Sequence, residues 1–233
     1  MDQLLVALDV DSPSRAIELA EALHGLAGGF KIGSQLFTRE GPRVVNELVD
    51  RGERVFLDLK FHDIPHTVGG AVQSAADLGV WMVNVHASGG RPMMEAARKA
   101  ADERRAATGR TPLVVAVTVL TSIDAPTLAS VGIAAAPIHH VVSLSELAKA
   151  AGLDGVVASA QETAAIRRAC GPDFVIVTPG IRGGSAAAAK DDQQRTLTPA
   201  EAIAAGSSYL VIGRPITADA DPRAAALRIA AEL

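Results

Sequence analysis

The sequence predicts a (β/α)8 barrel, a fold of alternating strands and helices closed into one domain. Three observations carry that expectation. Eight short apolar runs recur along the 233 residues, each is followed by an amphipathic segment, and the apolar side chains are aliphatic, with 48% hydrophobic residues but only 3% aromatic. Strands covered on both faces read as continuous Val/Ile/Leu runs. Eight β units each followed by a helix, in roughly 240 residues, is the arithmetic of the closed barrel. The rival is an open doubly wound sheet, which carries a glycine-rich turn after its first strand. Here the first run ends in Leu8-Asp9-Val10-Asp11, with no glycine.

The runs are Leu4–Leu8, Phe30–Ile32, Val55–Leu59, Trp81–Val85, Leu113–Val119, Gly155–Ala158, Phe174–Val177 and Tyr209–Ile212. The helical pattern is clearest after the third, where Val68, Ala71, Val72, Ala75 and Leu78 fall on one face. Start signals agree. Ser12-Pro13 and Asp221-Pro222 each offer a cap followed by proline at the first helical position, and Thr198-Pro199-Ala200-Glu201 reads as a capping box. No linker-like composition divides the chain, so residues 1–233 are expected to form a single barrel domain. One connection breaks the rhythm: Ile181 to Leu197 joins the seventh strand to its helix, longer than the roughly 12–15 residues usual in compact domains. It carries Arg, Gln and Lys and leaves the face where barrels do their chemistry, so 181–197 is expected to be a mobile lid.

Composition excludes several classes. A formal charge of −4, from 22 basic and 26 acidic side chains, argues against nucleic acid or an anionic membrane as partner. With one cysteine, Cys170, neither an internal disulfide nor a thiolate metal cage can form. No apolar run approaches the ~20 residues of a membrane span, and Met1-Asp2-Gln3 lacks the basic start of a signal peptide. A cytoplasmic protein is expected.

Active sites of such barrels lie at the C-terminal strand ends. Collected there are Asp9 from the first strand, Lys31 from the second, Asp58 and Lys60 from the third, His86 from the fourth, Thr118 to Ser122 from the fifth, Pro179 to Arg182 from the seventh and Gly213-Arg214 from the eighth. Alternation puts Asp58 and Lys60 on the same side of their strand, with Leu59 turned to the helices. A buried ion pair that merely plugs the barrel mouth would account for those two alone. It does not account for Lys31 and Asp9 projecting into the same small volume, and an array of lysines and aspartates at one mouth points to a tuned site. Loops after strands seven and eight of barrels commonly bind phosphate, so Gly213 and Arg214 are candidates for that role. His62, His66, His86, His139 and His140 show no His-Glu-x-x-His spacing, and no metal site is expected.

At Asp58-Leu59-Lys60-Phe61-His62-Asp63-Ile64-Pro65-His66-Thr67-Val68 the sequence resembles the orotidine 5′-phosphate decarboxylase family. The resemblance spans the chain, through Leu8-Asp9, Phe30-Lys31-Ile32-Gly33, Val85-His86-Ala87-Ser88-Gly89-Gly90, Thr118-Val119-Leu120-Thr121-Ser122, Thr178-Pro179-Gly180-Ile181-Arg182, Asp192-Gln193 and Val211-Ile212-Gly213-Arg214. It implies conversion of orotidine 5′-phosphate to UMP and CO₂, with no metal or organic cofactor.

The resemblance also implies roles. Lys60 would donate the proton to C6, Asp58 would sit beside the departing carboxylate, and Lys31 would bridge Asp58 and the ribose. Asp63, with Ile64 and Thr67 beside it, would reach the site of the other subunit, which implies a homodimer. Asp9 would bind ribose hydroxyls and Thr121 the pyrimidine edge. Arg182, Gln193 (or its neighbour Gln194), Gly213 and Arg214 would hold the phosphate. His66 stands where the family more often has Asn, and Ser185–Ala189 is an Ala-rich insert. Two other readings are weighed: a related phosphosugar lyase or synthase that shares Asp-x-Lys but uses a divalent cation, and a barrel that only binds a nucleotide.

Overall fold

In the computed structural model, which describes residues 2–109, 111–181 and 197–233, the eight apolar runs form eight parallel strands. They are β1 (Leu4–Ala7), β2 (Gly29–Gly33), β3 (Val55–Phe61), β4 (Met82–His86), β5 (Leu113–Val117), β6 (Gly155–Val157), β7 (Val175–Pro179) and β8 (Tyr209–Ile212). Each pairs with the next, and β8 returns to β1, so the sheet closes as a barrel. Alternation then sorts the side chains. Leu5, Ala7, Phe56, Met82, Val115, Val177 and Val211 fill the interior, while Leu4, Val6, Phe30, Ile32, Leu57, Val83 and Val85 belong to the larger cluster between strands and helices.

The predicted helix starts are present. Ser12 accepts from Arg15 N–H, Asp221 from Ala224 N–H, and Thr198 and Glu201 form the reciprocal capping box, each with proline in the first turn. On the helix Pro65–Asp77 the buried face is Val68, Val72, Ala75 and Ala76. Among the described residues a second α-helix modifies the simple one-strand, one-helix rhythm in three places. β2 is followed by Ser34–Glu40 and Arg43–Asp50, β5 by Ala125–Ser130 and Pro137–Ala150, and β8 by Arg214–Thr217 and Pro222–Ala230. In each pair the first helix is the shorter, and after β2 and β8 it follows the strand almost at once, at the C-terminal end of the barrel.

β3 is irregular. Leu57 pairs with Val83 but Phe61 pairs with Val85, so β3 carries four steps where β4 carries two. This bulge falls on the segment that holds the predicted chemistry.

Candidate active site

Four charged side chains from three strands meet at the mouth of the barrel. Asp9 follows β1, Lys31 lies on β2, and Asp58 and Lys60 lie on β3. The Lys31 ammonium is 2.8 Å from Asp9 Oδ1 and 3.5 Å from Asp58 Oδ2, and the Lys60 ammonium is 2.6 Å from Asp58 Oδ1. The signs alternate along the array, so each interior charge touches two opposite ones. Lys31 is only 7% exposed. A charge so deep requires partners on both sides, and it has them. Gly33 makes room: a Cβ there would lie 2.9 Å from Asp9 Oδ1 and 3.1 Å from the Lys31 ammonium.

Lys60 meets Asp58 by a different route from strand alternation. Within the β3 bulge Lys60 adopts φ = 53°, the only left-handed non-glycine among the described residues. That conformation costs an L-residue about 1–2 kcal/mol. Leu59 does pack against the outer cluster, as alternation requires, but the bulge rather than the pleat turns Lys60 back over Asp58. The Lys60 N–H leaves the ladder and donates to Asn84 Oδ1 at 2.8 Å. Asn84 in turn donates through Nδ2 to Asp58 Oδ1 at 2.6 Å. Sequence reasoning missed Asn84. The available signal was a polar residue at an inward position of an apolar strand, between Met82 and His86.

Burial pushes the Asp58 carboxyl up, but the Lys31 and Lys60 charges and the hydrogen bonds from Lys60 and Asn84 outweigh it, and the net effect holds Asp58 below the ordinary carboxylate value. Asp58 is therefore ionised at neutral pH. His86, at the end of β4, is pushed below the ordinary imidazole value, first by burial and then by nearby His62 and Lys60. The His62 and His86 rings lie 5.3 Å apart. Among the described residues no three of His, Cys, Asp and Glu are grouped to hold a metal ion.

The other candidate residues fall around this array. Asp63, Ile64 and Thr67 are exposed just past β3, with Ile64 66% exposed. The Asp63 carboxylate turns back to accept from Ile64 N–H at 2.6 Å. Thr121 is half-buried after β5. Gly213 is the N-cap of the short helix that Arg214 opens, directly after β8. Arg182 and Gln193 lie outside the described residues, as does all of the 181–197 connection except its two ends.

The geometry has close relatives. The model of the orotidine 5′-phosphate decarboxylase / HUMPS family matches residues 2–229. A protein of Chromohalobacter salexigens named orotidine 5′-phosphate decarboxylase is 54% identical over 230 residues, covering 99% of this chain and 95% of that protein. One of the same name from Halorhodospira halophila is 56% identical over 231 residues, with 99% and 95% covered. Among solved structures, orotidine 5′-phosphate decarboxylase from Lactobacillus acidophilus superposes with a TM-score of 0.86 at 36% identity, covering 98% of this chain and 97% of that one.

Proposed function

This chain belongs to the orotidine 5′-phosphate decarboxylase / HUMPS family, and on that premise we propose that it is a carboxy-lyase converting orotidine 5′-monophosphate to UMP and CO₂ in pyrimidine nucleotide synthesis. The observation that carries this reading beyond the family is the alternating Asp9–Lys31–Asp58–Lys60 array with its one left-handed lysine. It is supported by relatives that bear the decarboxylase name at 54% and 56% identity.

The chemistry asks for what this array offers. When the C6–carboxylate bond breaks, its electron pair remains in the plane of the pyrimidine, where the ring cannot delocalise it. A fixed ammonium aimed at C6 stabilises that pair as it forms and then delivers a proton to it. Lys60 is the proposed donor, with its proton replaced from solvent after product leaves. Asp58 lies beside the substrate carboxylate, and their repulsion disappears as CO₂ departs. Lys31, buried between two carboxylates, keeps Asp58 ionised and reaches the ribose, whose hydroxyls Asp9 accepts. Thr121 reads the pyrimidine edge. Gly213 and Arg214, with Arg182 and Gln193 of the 181–197 lid, bind the phosphate, so binding energy far from C6 orders the reacting charges.

The proposed enzyme is a cytoplasmic homodimer with shared sites. The exposed Asp63–Thr67 stretch beside the mouth, with Ile64 open to solvent, supports that arrangement. Mixed Lys60→Ala and Asp63→Ala chains should regain activity on exchange, because one site of the heterodimer carries both lesions and the other neither. Heterodimers without activity would place Asp63 in its own subunit's site.

The decisive test is turnover of orotidine 5′-monophosphate, followed by absorbance, with and without exhaustive chelation. Equal rates in both support the reading. A strict need for added Mg²⁺ would favour the cation-dependent branch, and tight binding without turnover would favour a nucleotide-binding barrel.

A further inference from the structure

We propose that Asn84 is a positioning residue for this reaction, fixing the main chain and the ammonium of Lys60 at once; the inference rests on the decarboxylase reading above. The register of the sheet sets up the need. Leu57 pairs with Val83 and Phe61 with Val85, so the bulge of β3 stands opposite residue 84 alone. Lys60, at φ = 53°, has turned its N–H out of the ladder. A buried N–H with no acceptor is costly, and it would draw the bulge back toward a regular strand. Asn84 is fully buried, with 0% exposure, and faces that N–H from the neighbouring strand.

The hydrogen bonds close a ring. Lys60 N–H donates to Asn84 Oδ1 at 2.8 Å, Asn84 Nδ2 donates to Asp58 Oδ1 at 2.6 Å, and the same oxygen accepts from the Lys60 ammonium at 2.6 Å. One amide therefore holds the root of the Lys60 side chain directly and its tip through Asp58. The ring requires an acceptor and a donor on one short planar group. An amide supplies both, and so does a protonated carboxyl. An ionised carboxylate supplies only the acceptor, and it would oppose Asp58 as a like charge.

That distinction gives the test. Wild type, N84A and N84D are compared for kcat and KM on orotidine 5′-monophosphate from pH 5.5 to 8.5, and for UMP affinity. UMP lacks the departing carboxylate, so its binding reports the rest of the site. We expect N84A to lower kcat by roughly 10²-fold, the scale of a misplaced reacting group, with KM and UMP affinity changed less than about threefold. N84D should lose as much at pH 8.5. It should then recover at least about tenfold relative to wild type toward pH 5.5, where the introduced carboxyl regains its proton and can donate to Asp58. A merely structural role gives no such pH-dependent ratio. An N84A kcat within threefold of wild type, or an N84D to wild-type ratio flat across the pH range, overturns the inference. Should N84A fail to fold, the near-isosteric N84D ratio decides alone. Wild type that turns over no substrate would be the failure of the decarboxylase reading, and that is read without either variant.

Discussion

Where the chain enters the barrel, at its N-terminal end, Arg167 donates to the carbonyls of Gly171, Pro172, Phe174 and Gly206 at 2.6–2.8 Å, tying together the segments that lead into β7 and β8. Asp154, just before β6, accepts from Val114 N–H at 2.7 Å and from Arg98 at 2.5 Å. At the C-terminal end Asp9, Lys31, Asp58 and Lys60 are held mainly by one another. Both ends carry charge in partly buried places, but at the N-terminal end backbone groups supply most of the partners. Backbone carbonyls are fixed by the fold and leave the arginine nothing further to bind. Side-chain carboxylates and ammoniums keep unused donor and acceptor capacity, and their balance changes when a charged substrate arrives. The same pairing rules thus yield stability at one end and a responsive site at the other.

The largest expected effect breaks or keeps this division at the C-terminal end. Lys60→Ala should lower kcat by about 10²–10⁴-fold, the usual contribution of a positioned general acid. Its urea unfolding free energy should change by less than about 1 kcal/mol, because the Lys60 side chain is 36% exposed and Asp58 keeps Lys31 and Asn84 as partners. Residual activity within tenfold of wild type, only ~1.4 kcal/mol in barrier, would assign the proton to another group. A stability loss as large as the catalytic one would mean that the array is structural.

The mirror experiment is Arg167→Ala. It strips partners from four carbonyls at the entry to β7 and β8, so unfolding should become easier by about 2–4 kcal/mol. The kcat of the protein that remains folded should stay within about twofold of wild type. A selective fall in kcat, with stability unchanged, would show that the two ends are coupled through the barrel.

The C-terminal half of this division was legible in the sequence, and what escaped has a physical cause. Strand positions followed from aliphatic runs because each strand is buried on both faces. Asp9, Lys31, Asp58 and Lys60 were legible as a group because closing the barrel must bring the strand ends together. The bulge was not. Nothing in Asp58-Leu59-Lys60-Phe61 announces a left-handed lysine, since glycine or asparagine is the residue expected there. The preference is overridden by a tertiary contact, the Asn84 amide opposite the bulge. Asn84 was overlooked for the complementary reason: it sits in an apolar strand, and its partners are set by three-dimensional register rather than by sequence distance. Arg167 was equally silent, because carbonyl acceptors have no sequence signature.

The smallest expected effect tests whether stability devices at the catalytic end are separable from the chemistry. Thr198 caps the helix Pro199–Ala204, accepting from Glu201 N–H at 3.3 Å while Glu201 accepts from Thr198 N–H at 2.9 Å. This cap stands at the exit of the 181–197 connection, on the same end of the barrel as Lys60. A lost N-cap costs about 1 kcal/mol, which in a domain of this size lowers Tm by roughly 2–4 °C. Thr198→Ala should show that shift in a thermal melt with kcat unchanged, because the cap touches none of the four charged side chains. Its effect on KM carries the information. If the helix start only anchors the fold, KM for orotidine 5′-monophosphate stays within about twofold. If the cap also supports the proposed phosphate contact of Gln193, KM rises by about fivefold or more, the equivalent of ~1 kcal/mol of lost binding. Orotidine, which lacks the phosphate, would then show no such rise, and the stabilising and binding roles at this end of the barrel would prove to share one residue.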